Sequence, residues 1–191
     1  LRNNGMIKVV TGMRRCGKSY LLFEIFTSYL KKSGVKEVHI ISVDLEDFKN
    51  RAMRNPENLY AYVESRITDN DMYYILLDEI QMLNEFEDVL NGFLRMPNVD
   101  IYVTGSNSKL MSSEISTYLS GRYVQIPVYT LSFKEYITFK GLENSDINNA
   151  FEEYLQYGGF PIIGISSFDT KSAYQVVEGI YATVITRDIS K

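Results

Sequence analysis

An apolar run, Met6 to Thr11, and an amphipathic run that begins at Lys18 enclose a short glycine-bounded segment. The stretch Gly12-Met13-Arg14-Arg15-Cys16-Gly17-Lys18-Ser19 fits the spacing G-x-x-x-x-G-K-[ST]. No other feature restricts the fold so strongly, because this spacing works only as a strand, a phosphate-binding loop and a helix in that order. The glycines let the backbone curl into a nest whose N–H groups face phosphate oxygens, and the following helix adds the positive end of its dipole. Lys18 then reaches the terminal phosphates and Ser19 ligates Mg²⁺, with Tyr20 completing the phosphate-binding stretch. The bland alternative is a glycine-rich turn that binds nothing. Arg14, Arg15 and Cys16 fill free positions: the arginines either touch phosphate or a partner or face solvent, and Cys16 is either a filler or a thiol whose oxidation blocks the loop.

A length of 191 residues, with 45% hydrophobic and 23% charged, suffices for one well-packed α/β domain and a small appendage. The single cysteine rules out an internal disulfide and fits a reducing compartment. The longest apolar stretch, near Tyr73 to Leu77, falls far short of the roughly 18 residues a bilayer span needs, and no charged-then-apolar segment opens the sequence. The expectation is a soluble, cytoplasmic protein without membrane contact. A net charge of −4 argues against wrapping a nucleic-acid backbone over a wide surface, although a local contact stays open. The only histidine, His39, lies in the strand-like run Val38-His39-Ile40-Ile41 with no Cys or His nearby, which disfavours a metal site or a His-based triad.

Strand-like runs at Met6–Thr11, Val38–Val43, Tyr73–Leu77, Ile101–Thr104 and Tyr123–Val128 alternate with helical patterns. The first helix spans Lys18 to about Lys32, with Leu21, Leu22, Ile25, Phe26, Tyr29 and Leu30 on one face and Gly34 as its stop. Asn55-Pro56 starts a second that runs to Arg66, Glu85 to Arg95 is a third, and Ser108 to Leu119 a fourth. Apolar strands alternating with helices predict an α/β fold, a five-stranded parallel sheet covered by helices, with ligands at the carboxyl ends of the strands. After Val128 only helices follow. Ser132 and Glu135 form a capping box for Lys134 to Phe139, Asp146 to Tyr157 ends at Gly158-Gly159, and Lys171 to Ile189 is the last. The division expected is a nucleotide-binding core over 1–129 and a small all-helical, lid-like segment over 130–191.

Tyr73-Tyr74-Ile75-Leu76-Leu77-Asp78-Glu79 is a buried strand that ends in two acids. Such a strand delivers Asp78 beside the phosphate loop as a Mg²⁺ ligand, and Glu79 beyond it polarises the water that attacks the γ-phosphate; read alone, it is an ordinary strand end. The strand Ile101 to Thr104 should lie between the other two. There Thr104, Ser106 and Asn107 are candidates for contacting the γ-phosphate or the attacking water, or else Ser106 or Asn107 simply caps the next helix. Arg122 stands between a helix and the fifth strand, where it either stabilises transition-state charge in a neighbour's site or is a solvated loop residue.

Taken together, the P-loop with its Arg-Arg pair, Asp-Glu-Ile-Gln (Asp78 to Gln81), Thr-Gly-Ser-Asn (Thr104 to Asn107), Ser-Gly-Arg (Ser120 to Arg122), Leu-Ser-Phe-x-Glu-Tyr (Leu131 to Tyr136) and Tyr-Gly-Gly-Phe-Pro (Tyr157 to Pro161) resemble the prokaryotic AAA+ ATPases usually described only as ATP-binding proteins. The resemblance spans nearly the whole sequence. It implies an AAA+ core, ATP and Mg²⁺ as cofactors, Glu79 as catalytic base and, by analogy, Arg122 as a finger acting in trans within a homo-oligomer. It also implies a further domain after the helical segment, so the sequence is expected to be an N-terminal fragment. Two positions depart from the family: Thr130 stands where Pro usually precedes Leu-Ser-Phe, and Ser19 replaces the commoner Thr while keeping the hydroxyl.

Three functions compete. The first is Mg²⁺-dependent ATP hydrolysis that drives a conformational change in an attached domain or in a protein or nucleic-acid target. The second is a nucleotide-gated interaction switch with little turnover. The third, a small-molecule P-loop kinase, is disfavoured by the lack of an arginine-rich lid segment.

Overall fold

The computed structural model describes residues 2–105, 119, 121–142, 146–166 and 168–186. They form two compact units: Leu1–Thr11 with Lys18–Pro127, and Gly12–Gly17 with Val128–Lys191.

The first unit is built on five parallel strands, β1 (Ile7–Thr11), β2 (Ile40–Asp44), β3 (Tyr73–Asp78), β4 (Val99–Thr104) and β5 (Tyr123–Pro127), in the order β2-β3-β4-β1-β5. This is the parallel, helix-covered sheet the apolar runs predict. As expected, β4 separates the phosphate-loop strand β1 from the acidic strand β3. The central strands β1 and β3 are buried throughout and β4 is buried after Val99, whereas β2 and β5, which end the sheet among the described residues, expose alternate or further residues.

Alternation along the strands divides the core between the two faces. Odd-numbered residues such as Ile7, Val9, Ile75, Leu77, Ile101 and Val103 pack with the apolar faces of α3 (Pro56–Arg66) and α4 (Phe86–Phe93). Even-numbered Tyr74, Leu76 and Tyr102 pack with Leu22 and Leu30 of the first helix. That helix runs as α1 (Lys18–Tyr20), a π-helical stretch (Leu21–Phe26) and α2 (Thr27–Lys32). The π stretch widens the turn, so Leu22, Phe23, Phe26 and Leu30 face the sheet while Ile25 and Tyr29, predicted on the same face, are more than half exposed. His39 also differs from expectation: it sits in a 3₁₀ turn, Glu37–His39, ahead of β2. The Asn55 cap forms as predicted, its side chain accepting the Asn58 N–H at 2.9 Å.

On the even-numbered face Lys8 is fully buried against Asp100, an ion pair with side chains 0% and 1% exposed. Asp100 also accepts from the Tyr102 hydroxyl at 3.0 Å and the Asn3 backbone N–H at 2.9 Å, so its second oxygen is satisfied.

The second unit holds α5 (Phe133–Lys140), α6 (Ile147–Tyr157), α7 (Pro161–Ile165) and α8 (Thr170–Val184) around Tyr136, Tyr157, Ile163 and Ala173. The Ser132/Glu135 capping box is present in both directions. The short helix α7 adds to the three helices expected after Val128, and Pro161 at its first turn is its signal. Gly159 is required there, because a Cβ would lie 2.0 Å from the Leu131 carbonyl oxygen. The predicted helix Ser108–Leu119 falls almost wholly outside the described residues. No described helix is long and apolar enough to cross a membrane.

Candidate nucleotide site

The segment between β1 and α1 has the backbone that its sequence requires. Gly17 adopts φ 99° and Arg15 φ 65°, both left-handed, and the Cys16 N–H turns back to the Met13 carbonyl at 3.4 Å. At Gly12 a Cβ would stand 2.2 Å from the Val128 carbonyl oxygen and 2.8 Å from the Cys16 sulfur, so only glycine fits. Gly17 approaches Pro161, whose Cγ would be 3.7 Å from an added Cβ. Cys16 is buried, Arg14 half-buried, and Arg15 exposed.

In the sheet unit, the carboxyl ends of the strands bring four predicted residues together: Lys18, Ser19, Asp78 and Thr104. The register aligns Asp44 with Asp78, Leu77 with Val103, and Val10 with Thr104, so the acid of β3 and the hydroxyl of β4 end side by side. Lys18 is 5% exposed, Asp78 3% and Thr104 0%. The Thr104 hydroxyl donates to Asp78 Oδ1 and accepts the Glu79 backbone N–H at 3.1 Å. One hydroxyl therefore fixes both acids: it orients the first carboxylate and pins the main chain of the second.

Burial pushes the Asp78 carboxyl above its ordinary value, aided by the charge of Asp44, while hydrogen bonds from Ser19 and Thr104 and the Lys18 charge oppose the rise. A desolvated carboxylate beside a serine hydroxyl is a hard-oxygen donor pair suited to Mg²⁺, and a cation there relieves the cost of burying it. Glu79 follows in the left-handed conformation, φ 53° and ψ 51°, as the cap of a 3₁₀ turn over Ile80–Met82. Ile80 is buried in the core, and the turn carries Gln81 back so that its Nε2 donates to Glu79 Oε2.

Arg122 lies elsewhere. Its carbonyl accepts the Ile7 N–H at 2.9 Å and its N–H bonds the Leu119 carbonyl at 2.8 Å, which anchors it at the amino ends of β1 and β5. At roughly 3.3 Å per residue, β1 puts it on the order of 15 Å from the strand ends that carry Asp78 and Thr104. Its side chain is exposed, and so is that of Tyr20. Ser106 and Asn107 lie outside the described residues. Sequence reasoning missed Asp44 and Gln81. A strand closing on an acid, Val43-Asp44, was the available signal for the first; for the second the motif Asp-Glu-Ile-Gln was the signal, but the turn that aims the Gln81 amide depends on the conformation of Glu79.

A sequence profile described as "AAA domain" matches residues 4–137. An uncharacterized protein of Haemophilus influenzae is 32% identical over 99% of this chain and 47% of its own length. An uncharacterized protein of Methanocaldococcus jannaschii is 31% identical over 82% of this chain and 36% of its own length. The chain thus spans less than half the length of these curated relatives. Among solved structures, PCH-2 of C. elegans superposes with a TM-score of 0.61 at 14% identity, covering 95% of this chain and 62% of that one. Hsp104 of S. cerevisiae, in a complex with casein, gives 0.57 at 16% identity, over 95% and 35% respectively. At such identities these two likenesses speak for the fold.

Proposed function

The chain belongs to the AAA-domain family, and on that premise we propose that it binds ATP with Mg²⁺ and hydrolyses it. The observation that carries this reading is the Thr104 hydroxyl shared between Asp78 and Glu79, at strand ends where Ser19 and Lys18 of α1 also act on Asp78. A strand needs one acid to meet a metal; a second acid held in fixed relation to the first has a task when water is the nucleophile. Bound Mg²⁺ supplies charge neutralisation on the phosphate oxygens.

The chain's own residues then divide the work. The loop Gly12–Gly17 offers backbone N–H groups to phosphate, and Lys18 holds the terminal phosphates. Ser19 and Asp78 are the metal ligands. Glu79 accepts a proton from the attacking water, while Thr104 holds the Asp78 carboxylate and the Glu79 main chain in register as a positioning residue. Arg122, too far from its own chain's acids, serves the site of a second copy in a homo-oligomer. Gly12 and Gly17 pack against Val128 and Pro161, so occupancy of the loop is felt by the helical unit, which acts as the lid-like segment that transmits the change to a protein or nucleic-acid target.

The test is Glu79→Gln, with phosphate release and binding of a fluorescent ATP analogue measured together across protein concentrations. We expect binding to persist and turnover to fall by roughly 10²–10⁴-fold, with wild-type specific activity rising with concentration. Unchanged turnover removes Glu79 from its role. Binding with negligible wild-type turnover at every concentration favours the nucleotide-gated switch.

A further inference from the structure

Asp78 and Glu79 leave one polar group of the same turn unexplained. The Gln81 amide is folded back onto the Glu79 carboxylate, to which Nε2 donates. An ionised carboxylate has no hydrogen to give, so the amide must present its N–H₂ to it, and this settles which way round the amide lies. Its other end, Oε1, is buried and has no hydrogen-bond partner among the described residues. A buried carbonyl oxygen without a donor has lost its hydration and gained no hydrogen bond in exchange, which destabilises the fold. The sequence does not avoid that cost, although a methionine or leucine would fill the same space.

The turn itself is built to produce this arrangement. Glu79 takes up a left-handed conformation that non-glycine residues seldom adopt, Ile80 is drawn into the core at 0% exposure, and the Met82 N–H closes on the Glu79 carbonyl at 2.9 Å. With Ile80 pointing into the core, Gln81 is left on the side of the acid. An amide donating to the acid and holding a free acceptor beside it is complementary to a water molecule that gives one hydrogen to each oxygen.

We infer that Gln81 orients the nucleophilic water of the hydrolysis proposed above, on which this inference rests: its Oε1 accepts one hydrogen of the water while Glu79, held by Gln81 Nε2, takes the other. In the step, a bond forms between the water oxygen and the γ-phosphorus, and the bond from that phosphorus to the β,γ-bridging oxygen breaks. The bridging oxygen leaves with the electron pair as ADP. The proton facing Glu79 passes to its carboxylate, and the hydrogen facing Gln81 remains on the phosphate product. Gln81 exchanges no proton; it fixes the direction of attack.

The experiment compares wild type, Glu79→Gln, Gln81→Ala and Gln81→Met for kcat, KM and analogue binding, with thermal midpoints recorded alongside. Met keeps the length and volume of Gln and lacks both hydrogen-bonding ends. Gln81→Ala and Gln81→Met are both expected to lower kcat by roughly 10–100-fold with KM and analogue affinity within about twofold of wild type, and Gln81→Met to retain the wild-type thermal midpoint. If Gln81→Met turns over like wild type while Gln81→Ala fails, the side chain only fills space and the inference is overturned. It is equally overturned if both variants turn over like wild type while Glu79→Gln is inactive, an outcome that leaves the ATPase reading standing. A wild-type protein that binds the analogue without turnover removes both.

Discussion

Replacing Thr104 by valine tests the arrangement on which the site depends, because the two side chains have the same shape and differ only by hydroxyl against methyl. In the native protein that hydroxyl donates to Asp78 and accepts from the Glu79 backbone, at 0% exposure. Losing a hydrogen bond to a charged group costs about 1.5–3 kcal/mol, and leaving a buried N–H without an acceptor about 1–3 kcal/mol. Asp78 keeps its hydrogen bond from Ser19, which puts the expected loss near the lower end of the sum, about 3 kcal/mol. For a chain of this size that lowers the thermal midpoint by roughly 6–12 °C.

The loss should depend on pH. The Asp78 carboxyl is already raised above its ordinary 3.8 by burial, and removing the Thr104 hydrogen bond, which opposes that rise, lifts it further. The folded state then holds a proton that the unfolded chain has released, so stability falls as pH climbs from 3.8 towards the folded value. The variant's deficit should therefore be smaller at about pH 4 than at about pH 8. Turnover should fall by roughly 100-fold as the acids lose their fixed relation. Thr104→Ser keeps the hydroxyl and should recover most of both losses. A Thr104→Val protein within about 1 kcal/mol of wild type, or a serine variant as damaged as the valine one, refutes the reasoning.

Two further substitutions probe the surroundings. Lys8→Met leaves Asp100 buried without its cation and should cost about 3–5 kcal/mol by urea unfolding, whereas Lys8→Met with Asp100→Asn should recover most of it, since the amide oxygen still accepts from Asn3 and Tyr102; a double-variant loss equal to the sum of the Lys8→Met and Asp100→Asn losses would show the pair to be uncoupled. Gly12→Ala forces a methyl group to within 2.2 Å of the Val128 carbonyl oxygen. It should weaken analogue binding by more than roughly tenfold through displacement of the loop, and wild-type affinity in that variant would mean that the Val128 contact imposes nothing.

Much of this protein is local in origin and is therefore written in its sequence. The glycine spacing of residues 12–19, the apolar runs that become β1, β3 and β4, the Asn55 cap and the Ser132/Glu135 capping box each depend on residues a few positions apart. Alternating strands and helices sufficed for a parallel sheet, and an acidic strand end sufficed to nominate Asp78 and Glu79. What tertiary structure decided was which groups share a partner. Thr104 meets both acids because β4 lies between β1 and β3 in a particular register, and Lys8 finds Asp100 across the same pair of strands. The π-helical stretch turned Ile25 and Tyr29 outward because packing against the sheet overrode a regular helical period. Gln81 faces Glu79 because Ile80 had to enter the core, and Gly12 is indispensable because of a carbonyl that lies far along the chain at Val128. Contacts of this kind have no sequence spacing to recognise, since register, core packing and backbone turns settle them together.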